Sequence, residues 1–240
     1  MLEAHMLRAA GEMGISLSPA QARQFSAYHD LLIQWNEKMN LTRVPLSDIA
    51  ESCDRNYLDS IAPLGVPGLL GGAKTLIDVG AGAGFPGIPL SIMLPDAEVL
   101  LLDALKKRVG FLGEVSTALQ LNARAEHARA EDAAHLPHIR GRFDVAVARA
   151  VASLPKLMEL CMPMIRVGGL FVAYKGPSLE GELAQSERAI KTLGGGNVRV
   201  IDVSIPGRDD WAHKLCIIEK LHETPARYPR KPAEMDKRPL

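Results

Sequence analysis

The chain has 240 residues, 47% of them apolar and 23% charged, enough to bury one substantial core and unlike a disordered or fibrous protein. No stretch approaches the roughly 18 uninterrupted apolar residues of a membrane span, and Cys53, Cys161 and Cys216 are too scattered for a disulfide framework or a zinc site, so a cytosolic protein with reduced thiols is expected. Lys and Arg balance Asp and Glu, 28 against 28, but residues 1–104 hold six basic and twelve acidic residues and residues 105–240 hold 22 and 16, an asymmetry that leaves a nucleic-acid partner open.

Ser18-Pro19 opens a helix, with a capping hydroxyl followed by proline at the first helical position. Phe25, Tyr28, Leu32, Trp35 and Met39 then recur at three- and four-residue spacing, so this apolar face is expected to pack on the rest of the protein rather than stack on bases. A short helix is expected over residues 54–64, and the run from Pro63 to Gly72 reads as a linker. From Lys74 onward short apolar runs alternate with amphipathic segments. Strands are expected at 75–79, 99–103, 124–127, 143–148 and 170–174, with helices at 87–93, 105–121, 154–165 and 179–193 between them. Single helices between strands imply right-handed crossovers and a mostly parallel sheet. Two further strands at 197–203 and 215–220 lack an intervening helix and suggest a closing antiparallel hairpin. The expected fold is α/β, a Rossmann-like, seven-stranded and mostly parallel sheet with an N-terminal helical cap. Its parts are expected as a cap at 1–66, the Rossmann-like domain at 67–222 and a basic tail at 223–240.

The sharpest feature is the segment from Thr75 to Gly87, a buried strand running into a glycine-rich turn and then a helix. Gly80, Gly82 and Gly84 permit positive φ and close approach of a ligand to the backbone. Asp103 follows 19 residues after Gly84, where a carboxylate can accept both hydroxyls of a ribose. Gly82, Gly84 and Gly87 also satisfy the dinucleotide pattern G-x-G-x-x-G. Asp78 before the turn would repel a pyrophosphate and favour a sulfonium, and Pro86 removes a backbone donor that phosphates would need. These two details favour S-adenosylmethionine; capping of the turn is the other reading of Asp78.

Arg129, Ala130, Glu131 and Asp132 follow the third strand, where they could face an adenine or merely complement a helix dipole. Arg149 ends the fourth strand at a partly buried place that calls for an ionic partner, such as the carboxylate of the methyl donor or an RNA phosphate. Lys175 ends the fifth and could reach phosphate or simply be solvated. His135 and His138 lack a third ligand, so no metal is expected. The fourth strand lacks the Asp/Asn-Pro-Pro-aromatic run used on exocyclic amines, and no Pro-Cys pair offers a nucleophile for a pyrimidine. A ring nitrogen with a free lone pair suits such a site, because it can attack without a general base.

Over nearly its whole length the chain resembles the 16S ribosomal RNA guanine-N7 methyltransferases of the RsmG (GidB) family. The likeness runs through Trp35-Asn36, Asn40-Leu41-Thr42, Leu58-Asp59-Ser60, the loop from Asp78 to Pro89, Leu101-Leu102-Asp103 with Lys107-Arg108-Val109, Arg129-Ala130-Glu131, Ala148-Arg149-Ala150, Lys175-Gly176, Ile218-Glu219-Lys220 and Tyr228-Pro229-Arg230-Lys231. The resemblance implies a donor site in which Gly80 and Phe85 line the loop, Asp103 holds the ribose, Ala130 and Glu131 flank the adenine and Arg149 closes the pocket; with the residues read above, the expected donor set also takes in Asp78, Gly82 and Gly84. It implies transfer to N7 of a guanine near the decoding centre, on 16S rRNA or a small-subunit particle. Asn40, Thr42, Arg149, Lys175, Arg230 and Lys231 are the RNA candidates, and a monomer is expected. The chain departs from the family at Asn56, where a histidine is frequent, and in its tail, where Glu234 and Asp236 dilute the basic run. Residues alone leave open a small-molecule or protein acceptor, a nicotinamide oxidoreductase and a non-catalytic ribosome-assembly factor.

Overall fold

A computed structural model of the chain describes residues 1–149 and 152–240. Ala150, the last residue of the Ala148-Arg149-Ala150 motif, lies outside the described residues. The strands are β1 (Thr75–Val79), β2 (Glu98–Asp103), β3 (Ala123–His127), β4 (Phe143–Arg149), β5 (Ile165–Lys175), β6 (Gly195–Asp202) and β7 (Lys214–Lys220). They form one sheet in the order β3-β2-β1-β4-β5-β7-β6, with β1 to β5 parallel and β7 antiparallel to both neighbours. The chain thus forms the Rossmann-like sheet with its reversed last strand.

Preceding the sheet are α1 (Leu2–Glu12), α2 (Pro19–Asn36), α3 (Ile49–Ser52), a wider π turn over Cys53–Leu58, and α4 (Asp59–Ile61). Ser18 caps α2 as expected, its hydroxyl accepting the Gln21 N–H while the Gln21 side chain accepts the Ser18 N–H. Helix α1 was not expected from sequence: its buried Leu2, Met6, Ala9 and Ala10 follow helical spacing, but two are alanines and the stripe is faint. Strand alternation gives the sheet two covered faces. Leu76 of β1 shares one core with Met6, Phe25, Tyr28 and Leu58 of the N-terminal helices, whereas Ile77 and Val79 share the other with Leu157 and Met158. Trp35 and Tyr28 pack on Phe111, at centroid distances of 5.6 and 6.4 Å. Their stripe is a packing face, as the spacing implied.

The remaining helices are α5 (Gly87–Met93), α6 (Lys106–Ala118), α7 (Ala130–Ala133), α8 (Leu154–Cys161), α9 (Leu179–Ala184), α10 (Glu187–Thr192) and α11 (Pro232–Lys237). The single helix expected at 179–193 is two, broken at Gln185-Ser186, where the Ser186 hydroxyl bonds back to the Glu182 carbonyl. The helix expected at 154–165 stops at Cys161, and a 3-10 turn over Met162–Met164 carries Pro163. All three cysteines are buried and free. No helix among the described residues is long and apolar enough to cross a membrane.

Candidate active site

The carboxyl ends of β1, β2 and β3 surround two adjoining cavities that share Gly80, Asp103 and Ala104. The smaller, about 220 Å³, has apolar walls from Val79, Leu102, Ala130, Leu160 and Met235, with Glu131 at its edge. The larger, about 700 Å³, opens between the glycine turn, the Leu41–Val44 loop and the π turn. A flat adenine suits the first by shape and apolarity, and Gly80 (φ +77°) and Gly82 (φ +60°) leave the floor of the turn bare of side chains.

Asp103 stands between the cavities, 4% exposed. Its Oδ2 accepts the Gly82 N–H at 2.9 Å and its Oδ1 the Leu105 N–H at 2.8 Å. Each oxygen keeps a further lone pair. The carboxylate therefore clamps the turn and still has capacity for two sugar hydroxyls. Ala130 and Glu131 face the same cavity as the first residues of α7, where Glu131 is held by Arg129. The residues present fit S-adenosylmethionine.

Two glycine-loop assignments change in the structure. Gly84 (φ +95°) does not face a ligand: a Cβ there would lie 2.6 Å from the Ile88 side chain and 2.7 Å from the Tyr28 hydroxyl. It exists to let α2 approach, and the Tyr28 hydroxyl donates to the Ala83 carbonyl and props the turn from behind. Asp78 lines neither cavity. It is fully buried, with Oδ2 accepting the Gly87 N–H at 2.7 Å at the start of α5 and Oδ1 unpartnered, so the capping reading describes its contact. Phe85 does line the larger cavity, with the Arg149 guanidinium over its ring at 5.0 Å.

Burial pushes the Asp78 carboxyl up to about 7, against the pull of the Gly87 N–H and Arg149. An unfolded chain titrates it at about 4. Between those values the folded state holds a proton that the unfolded state lacks, so stability falls as pH rises toward and through 7. Asp78→Asn, which keeps the acceptor for Gly87, is expected to gain on the parent by about 3 kcal/mol between pH 4.5 and pH 8.5. Urea unfolding at both pH values checks this, and a pH-independent difference would contradict it.

Arg149 finds an ionic partner, but within the chain. Its Nη1 donates to Asp59 Oδ2 at 3.1 Å and to the Arg55 carbonyl at 3.0 Å. Asp59, 1% exposed, also meets His213 Nδ1 at 3.0 Å through its other oxygen. This one buried carboxylate holds both Arg149 and His213 at the wall of the larger cavity. Neither Asp59 nor His213 stood out from sequence as a site residue. Asp59 was visible only inside the Leu58-Asp59-Ser60 motif, and no local pattern marks a histidine 154 residues away.

The other RNA candidates divide. Thr42 lines the larger cavity with Arg43, while Asn40 is exposed and outside it. Asn36 sets this loop, its Oδ1 accepting the Leu41 and Thr42 N–H groups at 2.8 and 3.0 Å. Lys175 is withdrawn from RNA: its Nζ donates to Glu182 at 2.6 Å and to the Ala152 carbonyl at 2.9 Å. Arg230 is likewise withdrawn, forked onto the buried Glu159 at 2.8 and 2.7 Å, whereas Lys231 is exposed. The cations around the larger cavity, Arg43, Arg55, Arg108 and Arg149, come from both halves of the sequence. Arg55 lies over Trp211 at 5.2 Å and Arg208 lies over it at 4.9 Å, and Arg208 is bound to Glu51 and Asp54. These contacts fasten the loop before β7 to the π turn. His135, half of the suspected ligand pair, bonds instead to the Pro229 carbonyl, and no group of three metal-ligating side chains occurs among the described residues.

Residues 21–209 match the family model GidB, described as rRNA small subunit methyltransferase G. The chain is 43% identical over 236 residues to ribosomal RNA small subunit methyltransferase G of Clostridium botulinum, covering 98% of this chain and 97% of that one. Its counterpart from Alkaliphilus metalliredigens is 44% identical, with 95% of each chain covered. Among solved structures, a predicted O-methyltransferase from Agrobacterium tumefaciens aligns with a TM-score of 0.51 at 18% identity, over 70% of this chain and 81% of that one. A branched-chain polyamine synthase mutein from Thermus thermophilus aligns with a TM-score of 0.56 at 13% identity, over 82% and 64%. The last two likenesses concern the fold alone.

Proposed function

The chain belongs to the rRNA small subunit methyltransferase G family, and from that premise we propose that it methylates N7 of a guanine in 16S ribosomal RNA near the decoding centre, with the two cavities as its donor and acceptor sites. It is an S-adenosylmethionine-dependent ribosomal RNA methyltransferase. The observation that carries the assignment of the site is the continuity of the two cavities through Gly80 and Asp103. One has the shape and apolarity for an adenine, and the other carries arginines on walls wide enough for a base.

S-adenosylmethionine supplies an electrophilic methyl group on a sulfonium. Asp103 would hold the ribose through the lone pairs left free by Gly82 and Leu105, and the apolar wall beneath Ala130 would take the adenine, with Glu131 at its edge. Gly80 lies at the join of the two cavities, so a donor lying across it would present its methyl to the larger one. Phe85 and Arg149 would close that end. A guanine entering past Thr42, Arg43 and Arg55 would attack through its N7 lone pair, which carries no proton, so no protein base would be needed. The catalytic contribution is alignment and exclusion of water. An unstacked loop nucleotide suits this entry, and Arg43, which enters no ion pair among the described residues, would complement a phosphate there.

The test is methyl incorporation from labelled donor into 16S rRNA taken from a strain lacking the gene, with the modified position mapped before and after treatment. Incorporation at a single guanine N7 is expected. Particle binding without incorporation would favour the assembly-factor reading, and incorporation into free nucleotides or protein alone would refute the RNA acceptor.

A further inference from the structure

The end of the chain builds a third cavity, of about 590 Å³, that the donor site does not use. Arg188 of α10 and Arg227, Arg230, Lys231 and Arg238 of the final segment wall it, with Glu234 as its acidic side chain. The ion pairs of this region are Lys156–Asp236, Arg230–Glu159 and Arg230–Glu234. Among the described residues, Arg188, Arg227, Lys231 and Arg238 enter none.

The segment carrying these cations is fastened down. Glu159, 1% exposed, accepts the Arg230 backbone N–H at 2.8 Å as well as its guanidinium. Arg140 donates to the carbonyls of Thr224, Pro225 and Tyr228. The buried Lys220 reaches the Thr224 hydroxyl and the carbonyls of Met162 and Leu193. Tyr228, Met235 and Leu240 join the core on that face of the sheet. Like charges converging on a fixed backbone repel one another, and an anion in the cavity would relieve that repulsion.

The chemistry narrows the anion. Guanidinium groups pair phosphate in two-pronged fashion, and four unpaired cations exceed what one small anion requires. The Tyr228 ring, 4% exposed, already lies under Arg227 and Arg230, at 4.9 and 5.7 Å, so it offers no face for a base. That excludes stacking recognition of a nucleotide at this ring and leaves recognition of a backbone. Pro232 and Met235 on the same short helix wall the adenine end of the donor site. We propose that this cavity binds the phosphodiester backbone of the RNA substrate without regard to sequence, holding the strand beside the donor site. This proposal rests on the functional reading above.

The test uses the full chain with Arg188, Arg227 and Arg238 all changed to Gln, and an analogue with all three changed to Lys. Affinity for a 16S rRNA transcript is measured from 50 to 200 mM KCl. Three lost phosphate contacts should lower the slope of log Kd against log salt by about 2 and weaken binding roughly tenfold or more at 100 mM. S-adenosylmethionine affinity should be unchanged, the melting temperature should not fall, and the Lys variant should recover the slope. An unchanged slope in the Gln variant, or equal loss in the Lys variant, would overturn the proposal. So would displacement of RNA from the parent by millimolar inorganic phosphate or a mononucleotide, which would mark a small-anion site. Failure of the parent to methylate both the transcript and a small-subunit particle would refute the functional reading, whereas methylation of either by the parent with an unaltered slope in the Gln variant would refute only the backbone site.

Discussion

Asp103→Ala is expected to weaken S-adenosylmethionine binding by about 1.5–3 kcal/mol, roughly 10- to 150-fold, as read by calorimetry. The carboxylate sits at the end of β2 with little exposure, so hydrogen bonds from a sugar would be made to a charged group with restricted access to water. The same side chain fixes the glycine turn through the Gly82 N–H. Alanine therefore removes an acceptor and loosens the floor of the site together. Asp103→Asn separates the two effects: its remaining oxygen can retain one backbone bond, while the amide opposes either a second N–H or a hydroxyl. A loss intermediate between parent and alanine is expected for asparagine. Unchanged affinity in both variants would move the ribose elsewhere.

The sheet was legible because its strands alternate with single helices, and buried parallel strands are written as short apolar runs. Asp103 and the glycine turn were legible for a related reason: a turn and the acid on the next strand recur at a fixed separation along one chain. What sequence could not assign was the direction in which each residue of the turn faces. Gly82 and Gly84 look alike in the pattern, yet one lines the larger cavity and the other makes room for Tyr28. Asp78 invited a sulfonium by its sign, but Gly87 opposite it leaves space for the carboxylate beneath α5, where a Cβ would lie 2.7 Å from Asp78 Oδ2. Lys175 and Arg230 misled in another way. A cation near a strand end or in a basic tail has the composition of an RNA contact, and only tertiary structure reveals Glu182 and Glu159 beneath them. The Asp59–Arg149–His213 cluster joins three distant segments, and such pairings leave no periodic trace.

Arg149→Ala is expected to lower stability by about 3–5 kcal/mol and to abolish methyl transfer. The magnitude follows from what remains rather than from what is removed. Asp59 would keep the His213 contact on one oxygen and lose the guanidinium from the other, at a site with almost no access to water. Asp78 would lose a charge that opposes the effect of its burial, and the Phe85 ring would lose the guanidinium over its face. Because the Arg149 side chain is 17% exposed, water entering the gap can offset part of the penalty, which favours the lower end of the range. Thermal and urea unfolding separate this role from that of a simple clasp on the methyl donor. A clasp alone predicts a variant that melts with the parent and loses only donor affinity. If Arg149 serves chiefly to neutralise Asp59, removing both should be milder than removing the arginine alone, so Asp59→Asn in the Arg149→Ala background is expected to restore at least 1 kcal/mol of stability without restoring activity. Additive losses in that double variant would show that the two side chains are energetically independent and would return Arg149 to the role of a ligand contact.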